Sequence, residues 1–290
     1  METIHTVEWM KQVARQARAE GRPSGFVPTM GALHEGHMSL VRAAKAECQP
    51  VTASIFVNPT QFGPTEDFQK YPRRLETDRK QLEDAGVGYL FAPEAAEIYP
   101  PGFRTWVNVE GLSDRLDGRS RPGHFRGVTT VVLKLLEIVQ PRQAFLGRKD
   151  AQQARLIRQM ARDLHLDAEI VVCPIVREPD GLAMSSRNAY LNPAERRAAT
   201  ALYRALDGAR QAIERGERDA LRLTAAMREV LRAEPLVEPD YVELVDAETL
   251  EGVTRLRGAC LAMLAARVGA TRLIDNLLIE ERDGGFRTML

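Results

Sequence analysis

Apolar positions along the first 175 residues of this 290-residue chain follow two rhythms. Short apolar runs at 25–28, 51–57, 87–91, 144–146 and 168–173 predict strands. Between them, apolar residues recur at helical spacing over 37–47, 75–85, 128–139 and 151–164, and an amphipathic stretch covers 7–20. Strand–helix alternation of this kind predicts an α/β domain, a mostly parallel sheet covered on both faces. Ligands of such sheets bind beyond the carboxyl ends of the strands.

The rhythm changes after the segment REPDGLAMSSRNAYLNPAE, which is rich in turn residues. Asn192, Pro193 and Glu195 supply an N-cap, a proline at the first helical position and a capping-box acid. Two long helices over 193–215 and 219–233 should follow, then strands over 241–245, 260–268 and 272–279. Helices followed by consecutive strands predict a smaller α+β domain, so the division is placed between residues 1–176 and 177–290.

Composition narrows the partners. Forty Lys and Arg balance forty Asp and Glu, and no net basic charge advertises nucleic acid. Cys48, Cys173 and Cys260 lie far apart without a C-x-x-C pair, which suits buried thiols in a reducing compartment. No run of eighteen apolar residues predicts a membrane span, and the N-terminus lacks the apolar core of a signal peptide. A cytoplasmic protein is expected.

The stretch PTMGALHEGHMSLV, residues 28–41, nearly spells the P-loop G-x-x-x-x-G-K-[ST]. His37 stands where the phosphate-binding lysine belongs and Met38 where the metal-binding hydroxyl belongs, which argues against a P-loop. A metal site is also poorly served, because His34 and His37 are three apart and no third ligand is near in sequence. Two histidines at a helix start could simply be satisfied by their neighbours. Position favours a functional reading: the segment leaves a predicted strand and enters a helix, where unpaired N–H groups and the helix dipole favour an anion. Gly36 removes a side chain that would block close backbone approach.

His-x-Gly-His at this place resembles the HxGH signature of the nucleotidyltransferase superfamily, shared with class I aminoacyl-tRNA synthetases. Five segments narrow the resemblance: VPTMGALHEGH, FVNPTQFGPTEDFQKYPR, RPGHFRGVTTVVLKL, FLGRKDAQQ and REPDGLAMSSRNAYL. Together, in this order over residues 24–192, they are similar to the pantoate–β-alanine ligase family. The resemblance implies a Rossmann-like ATP- and pantoate-binding domain, a small C-terminal lid domain and a homodimer. It also implies condensation of pantoate with β-alanine through a pantoyl-adenylate, with ATP as co-substrate and Mg²⁺ held by its phosphates.

Carried over residue by residue, the resemblance gives ATP to Met30, Gly31, Ala32, Leu33, His34, Glu35, Gly36 and His37. It adds Gly147, Arg148, Lys149 and Asp150, the backbone of Val176, and Met184, Ser185, Ser186 and Arg187. The last four are similar to the KMSKS-type loop that closes over the β- and γ-phosphates. The family gives His37 the part of proton donor. Because a carboxylate attacking phosphorus transfers no proton, His34 and His37 suit the part of phosphate-directed donors better. Lys149, Ser185, Ser186 and Arg187 complete the catalytic set. Arg148 departs from the usual G-E-K-D pattern, in which an acid precedes the lysine.

By the same resemblance Gln61 and Gln153 read pantoate, since a neutral amide serves its hydroxyls without neutralising the nucleophilic carboxylate. Gln61 also orients β-alanine. Pro28, Met30, Val131 and Val132 are candidates for the apolar wall against the gem-dimethyl carbon, although the two valines equally suit a helix core. Asn58, Tyr71, Arg121 and His124 stand in matched segments as further candidates. The protein ligands of Mg²⁺ are left unassigned, since no carboxylate cluster suggests a cage. Three competing readings remain: a nucleotidyltransferase acting on a phosphorylated acceptor, a tRNA synthetase and a non-catalytic ATP sensor. The Gln-based pocket, the zero net charge and the phosphate-directed side chains respectively speak against them.

Overall fold

The strand–helix alternation builds one parallel sheet in the computed structural model of the protein, which describes residues 1–64, 66–282 and 284–290. Its strands are β1 (Glu2–Ile4), β2 (Gly25–Thr29), β3 (Val51–Ile55), β4 (Tyr89–Phe91), β5 (Gln143–Gly147) and β6 (Glu169–Cys173), in the order β1-β4-β3-β2-β5-β6. The helices among them are α1 (Val7–Ala19), α2 (Glu35–Glu47), α3 (Leu75–Asp84), α4 (Ala95–Ile98), α5 (Leu116–Ser120), α6 (His124–Val139) and α7 (Ala151–Asp163). From β2 the chain adds strands in one direction, and from β5 in the other, so the order reverses between β2 and β5. That switch point is where open parallel sheets bind ligands.

The sequence does not announce β1, a three-residue edge strand paired with β4. α6 starts four residues ahead of its expected beginning, after Gly123 at φ 82. Its Val131 and Val132 are buried along with most of the helix, as in a core helix rather than a surface one.

Residues Met1–Arg148 and Leu156–Cys173 form one compact unit, and Lys149–Arg155 with Pro174–Leu290 form a second. The second unit contains α8 (Pro193–Ala198), α9 (Thr200–Glu214) and α10 (Ala220–Arg232), then β7 (Val237–Asp246), β8 (Ala259–Val268), β9 (Thr271–Arg282) and β10 (Gly285–Met289). The four strands make an antiparallel sheet in the order β10-β9-β8-β7. Leu202, Leu206, Leu223 and Met227 of the helices share one core with Leu264 and Leu277 of the sheet.

Asn192 caps α8 as expected, accepting from the N–H groups of Ala194 and Glu195 while Glu195 accepts from Asn192. The single helix expected over 193–215 is broken at Ala199. Thr200 Oγ1 donates to the Arg197 carbonyl at 2.7 Å, a side-chain bond that competes with the helical ladder. β10 is a fourth strand where three were expected; its sequence GFRTM has only two large apolar residues, too weak a pattern to mark it. All three cysteines are free and buried. No helix among the described residues is long and apolar enough to cross a membrane.

Candidate active site

The turn after β2 is built before any ligand enters the argument. Thr29 Oγ1 donates to the Ser54 carbonyl at 2.6 Å and accepts from the Gly31 N–H at 3.1 Å. Gly31 and Ala32 both have positive φ, 81° and 51°, an uncommon pairing for a chain that includes a side chain. Asp78 of α3 holds that conformation: its carboxylate accepts from the N–H groups of Ala32 at 2.8 Å and Leu33 at 2.9 Å. Asp78 itself is buried.

His34 and His37 then cap α2. His34 Nδ1 accepts from the Gly36 N–H at 3.1 Å, and His37 Nδ1 accepts from the His34 N–H at 3.4 Å. The rings lie 4.1 Å apart between centroids. An accepting Nδ1 places the proton of each neutral ring on Nε2, so both histidines present an Nε2–H donor. The expectation of unpaired helix N–H groups is narrowed at Gly36, His37 and Met38, whose N–H groups already have acceptors in the turn. The amides of Ala32, Leu33 and Gly36 serve side-chain acceptors, and those of His37 and Met38 donate to the His34 carbonyl. Both Nδ1 atoms thus serve the helix start, the structural reading of the two histidines.

Gln61 ends a 3-10 turn, Pro59–Gln61, that follows β3. Its Nε2 donates to Met30 Sδ at 3.3 Å, and its Oε1 accepts from Asn58 Nδ2 at 3.0 Å. Asn58 is buried, donates also to the Gly127 carbonyl and accepts from the Tyr99 hydroxyl at 2.9 Å. The turn lies so close to α6 that a Cβ at Gly127 would come within 2.4 Å of the Thr60 carbonyl oxygen. No residue larger than glycine fits there.

Below the Gln61 carbonyl stands a charged chain. His124 Nδ1 donates to it at 2.8 Å, which leaves Nε2 to accept from Arg121 at 3.0 Å. Arg121 forks onto Glu66 with bonds of 2.7 and 2.6 Å. Burial works to raise the Glu66 carboxyl, but the hydrogen bonds and charge of Arg121 outweigh it and hold the pKa at about 2. Tyr71 is buried with its ring edge-on to Phe62.

In the second unit, Lys149 lies 3.8 Å from Asp150, and its carbonyl accepts from Asn276 at 3.1 Å. Gln153 is half-buried in the first turn of α7. Val176 and Met184 face each other across a short hairpin: the Met184 N–H donates to the Val176 carbonyl at 3.0 Å. Ser185 caps the 3-10 turn Ser186–Tyr190, accepting from the Arg187 N–H at 3.3 Å. In the first unit, Gly147 ends β5 at the switch point, and Arg148 after it is buried.

A family model described as pantoate-beta-alanine ligase matches residues 2–278. The chain belongs to the pantoate–β-alanine ligase family. It is 60% identical to a pantothenate synthetase of Acidobacterium capsulatum over 266 residues, 92% of this chain and 89% of that one. A crystal structure of pantothenate synthetase from Thermus thermophilus superposes with a TM-score of 0.91 at 46% identity, covering 95% of this chain and 98% of the other. A pantoate–β-alanine ligase of Francisella tularensis, complexed with beta-gamma ATP and β-alanine, does so with a TM-score of 0.77 at 36% identity, covering 95% and 97%.

In this pantoate–β-alanine ligase the structure adds residues that sequence motifs pass over. Asp78 could have been noticed as an acid on the buried side of α3, four residues before the buried Leu82. Glu66 and Tyr99 carry no such signal, since their partners Arg121 and Asn58 are 55 and 41 residues away. Among the described residues, no three His, Cys, Asp or Glu side chains gather to hold a metal ion.

Proposed function

We propose that this ligase activates pantoate with ATP and passes the acyl group to β-alanine, giving pantothenate, AMP and pyrophosphate. The pantoate carboxylate attacks the α-phosphate, the bond to the β-phosphate breaks and pyrophosphate leaves. The β-alanine amine then attacks the acyl carbon of the pantoyl-adenylate, sheds a proton, and AMP departs. Two anions meet in the first step, so positioned donors and cations carry most of the acceleration.

The observation that carries this reading is the bond from Gln61 to Met30. It sets a hydroxyl-reading amide against the turn that leads to the two Nε2–H donors, at the carboxyl ends of neighbouring strands. On this reading His34 and His37 meet the phosphates, Gln61 with Gln153 reads pantoate, and Lys149, Ser185, Ser186 and Arg187 follow the charge that grows on the leaving pyrophosphate. The residues of the turn and of the 147–150 and 176–187 segments line ATP. The donors gathered here are neutral or cationic, which suits phosphate oxygens and not a hard cation. Mg²⁺ would therefore arrive on ATP and shield its phosphate charge, with few protein ligands. A cytoplasmic homodimer is the working form implied by the family.

Isotope exchange between pyrophosphate and ATP tests the proposal. Exchange should require pantoate, and AMP should accumulate only when β-alanine is added. ATP turnover that ignores pantoate, or ADP as the product, overturns it.

A further inference from the structure

Strand β9 carries two consecutive buried polar residues, Asp275 and Asn276, inside the apolar run LIDNLLIE. Successive strand residues face opposite sides of a sheet, and each of these two reaches a different loop. Asp275 accepts from Arg177 through both carboxylate oxygens, at 2.7 and 3.0 Å, with its side chain only 1% exposed. Arg177 donates also to the Gly181 carbonyl at 3.0 Å, and its guanidinium lies 5.2 Å from the centre of the Tyr203 ring. Gly181, at φ +92°, backs onto the same ring so closely that a Cβ would come within 2.2 Å of it. Arg177 thus pins the hairpin in which it pairs with Ala183 and Met184 bonds to Val176. On the other side, Asn276 Nδ2 donates to the Lys149 carbonyl.

Burying a carboxylate costs desolvation that its ion pair only offsets, and an apolar pair of similar volume holds a core as well or better. Local rules broken inside a strand are expected where function requires it. We propose that Asp275, Asn276 and Arg177 are positioning residues: β9 clamps the Lys149 segment and the 176–187 segment into one frame, so that the groups meeting ATP keep fixed spacing. This rests on the phosphate-directed roles proposed above for Lys149 and Ser185 to Arg187.

The test is the single-turnover rate constant of pantoyl-adenylate formation, which does not depend on how much of a preparation is folded. In the full chain, the double variant Arg177→Met with Asp275→Leu should keep its thermal midpoint while this rate constant falls about 10²-fold, the cost of roughly 1 Å of misplacement. Arg177→Lys, which keeps the charge but loses the two-pronged fork, should fall between it and the parent. Asn276→Ala leaves the ion pair intact and should lower the rate roughly fivefold to tenfold, the loss of one hydrogen bond; it decides the matter if the double variant does not fold. Lys149→Ala serves as the reference. A slow Lys149→Ala beside clamp variants at the parental rate overturns the clamp alone. Parental rates in Lys149→Ala itself overturn the phosphate reading, and the clamp with it.

Discussion

Two backbone N–H groups of the Gly31–Leu33 region end on Asp78, and the two histidines that follow spend their Nδ1 atoms capping α2. Lys149, in the second unit, is anchored through its carbonyl, and its ammonium has a 3.8 Å ion pair to a half-exposed Asp150. In the first unit, the side chains proposed to meet phosphate therefore also hold the fold. In the second, Lys149 is held through its backbone, although the Ser185 side chain does cap the 3-10 turn that follows it. A histidine in the first unit cannot be removed without disturbing a helix start, whereas the lysine can be removed and its chemistry read cleanly.

The largest effect that sharpens this contrast is expected from Lys149→Ala. Loss of a donor aimed at growing transition-state charge typically costs on the order of 10²–10³ in rate, about 2.7–4 kcal/mol. Adenylate formation should fall by that factor. Attack of β-alanine on supplied pantoyl-adenylate should slow much less, because pyrophosphate has already gone. The urea midpoint should stay near the parent's, since a long, partly exposed ion pair contributes about 0–1 kcal/mol. Equal losses in both half-reactions, or a large loss of stability, would place Lys149 among the structural residues.

Asp78→Ala should show the reverse pattern. Two N–H groups of a tight turn would lose their acceptor, at about 1–3 kcal/mol for each left unsatisfied. Water reaching the turn reduces the sum, so a loss of about 2–4 kcal/mol in urea unfolding is expected. Asp78→Asn keeps one accepting oxygen and should lie between. An Asp78→Ala protein as stable as the parent would mean that the Gly31–Ala32 conformation holds itself.

How legible these features were in the sequence follows the same division. The parallel sheet and the capped start of α8 were readable because each depends on residues within a few positions of one another. The histidine motif was readable for that reason too, yet its surroundings were not. Asp78, which accepts from the Ala32 and Leu33 N–H groups just ahead of α2, lies 46 and 45 residues away from them. Asp275 meets Arg177 across 98 residues, and Glu66 meets Arg121 across 55. Short-range chemistry leaves a spacing in the sequence. A bond closed by the tertiary fold leaves only a polar residue where an apolar one would pack, as Asp78 does on α3 and the Asp275–Asn276 pair does on β9.

The smallest effect concerns Glu66, which supports the Gln61 turn through Arg121 and His124. Its pKa is held at about 2 against an ordinary 4.5. A depressed carboxylate stabilises the fold fully above the unfolded value and loses that contribution as pH falls toward the folded one. A tenfold change in proton affinity between the folded and unfolded chain corresponds to about 1.4 kcal/mol. With a quarter of the side chain open to water, the full conversion overstates the gain, and about 1–2 kcal/mol is expected at pH 7. Glu66→Gln should lose that amount at pH 7. The gap between parent and variant should narrow as pH falls from about 4.5 toward 2, because the parent then protonates the same carboxyl. Urea unfolding followed in steps from about pH 7 down to about pH 3 would measure it. A gap of constant size across that range would show that Arg121 draws its support from elsewhere, and that the Gln61 turn stands without the Glu66 charge.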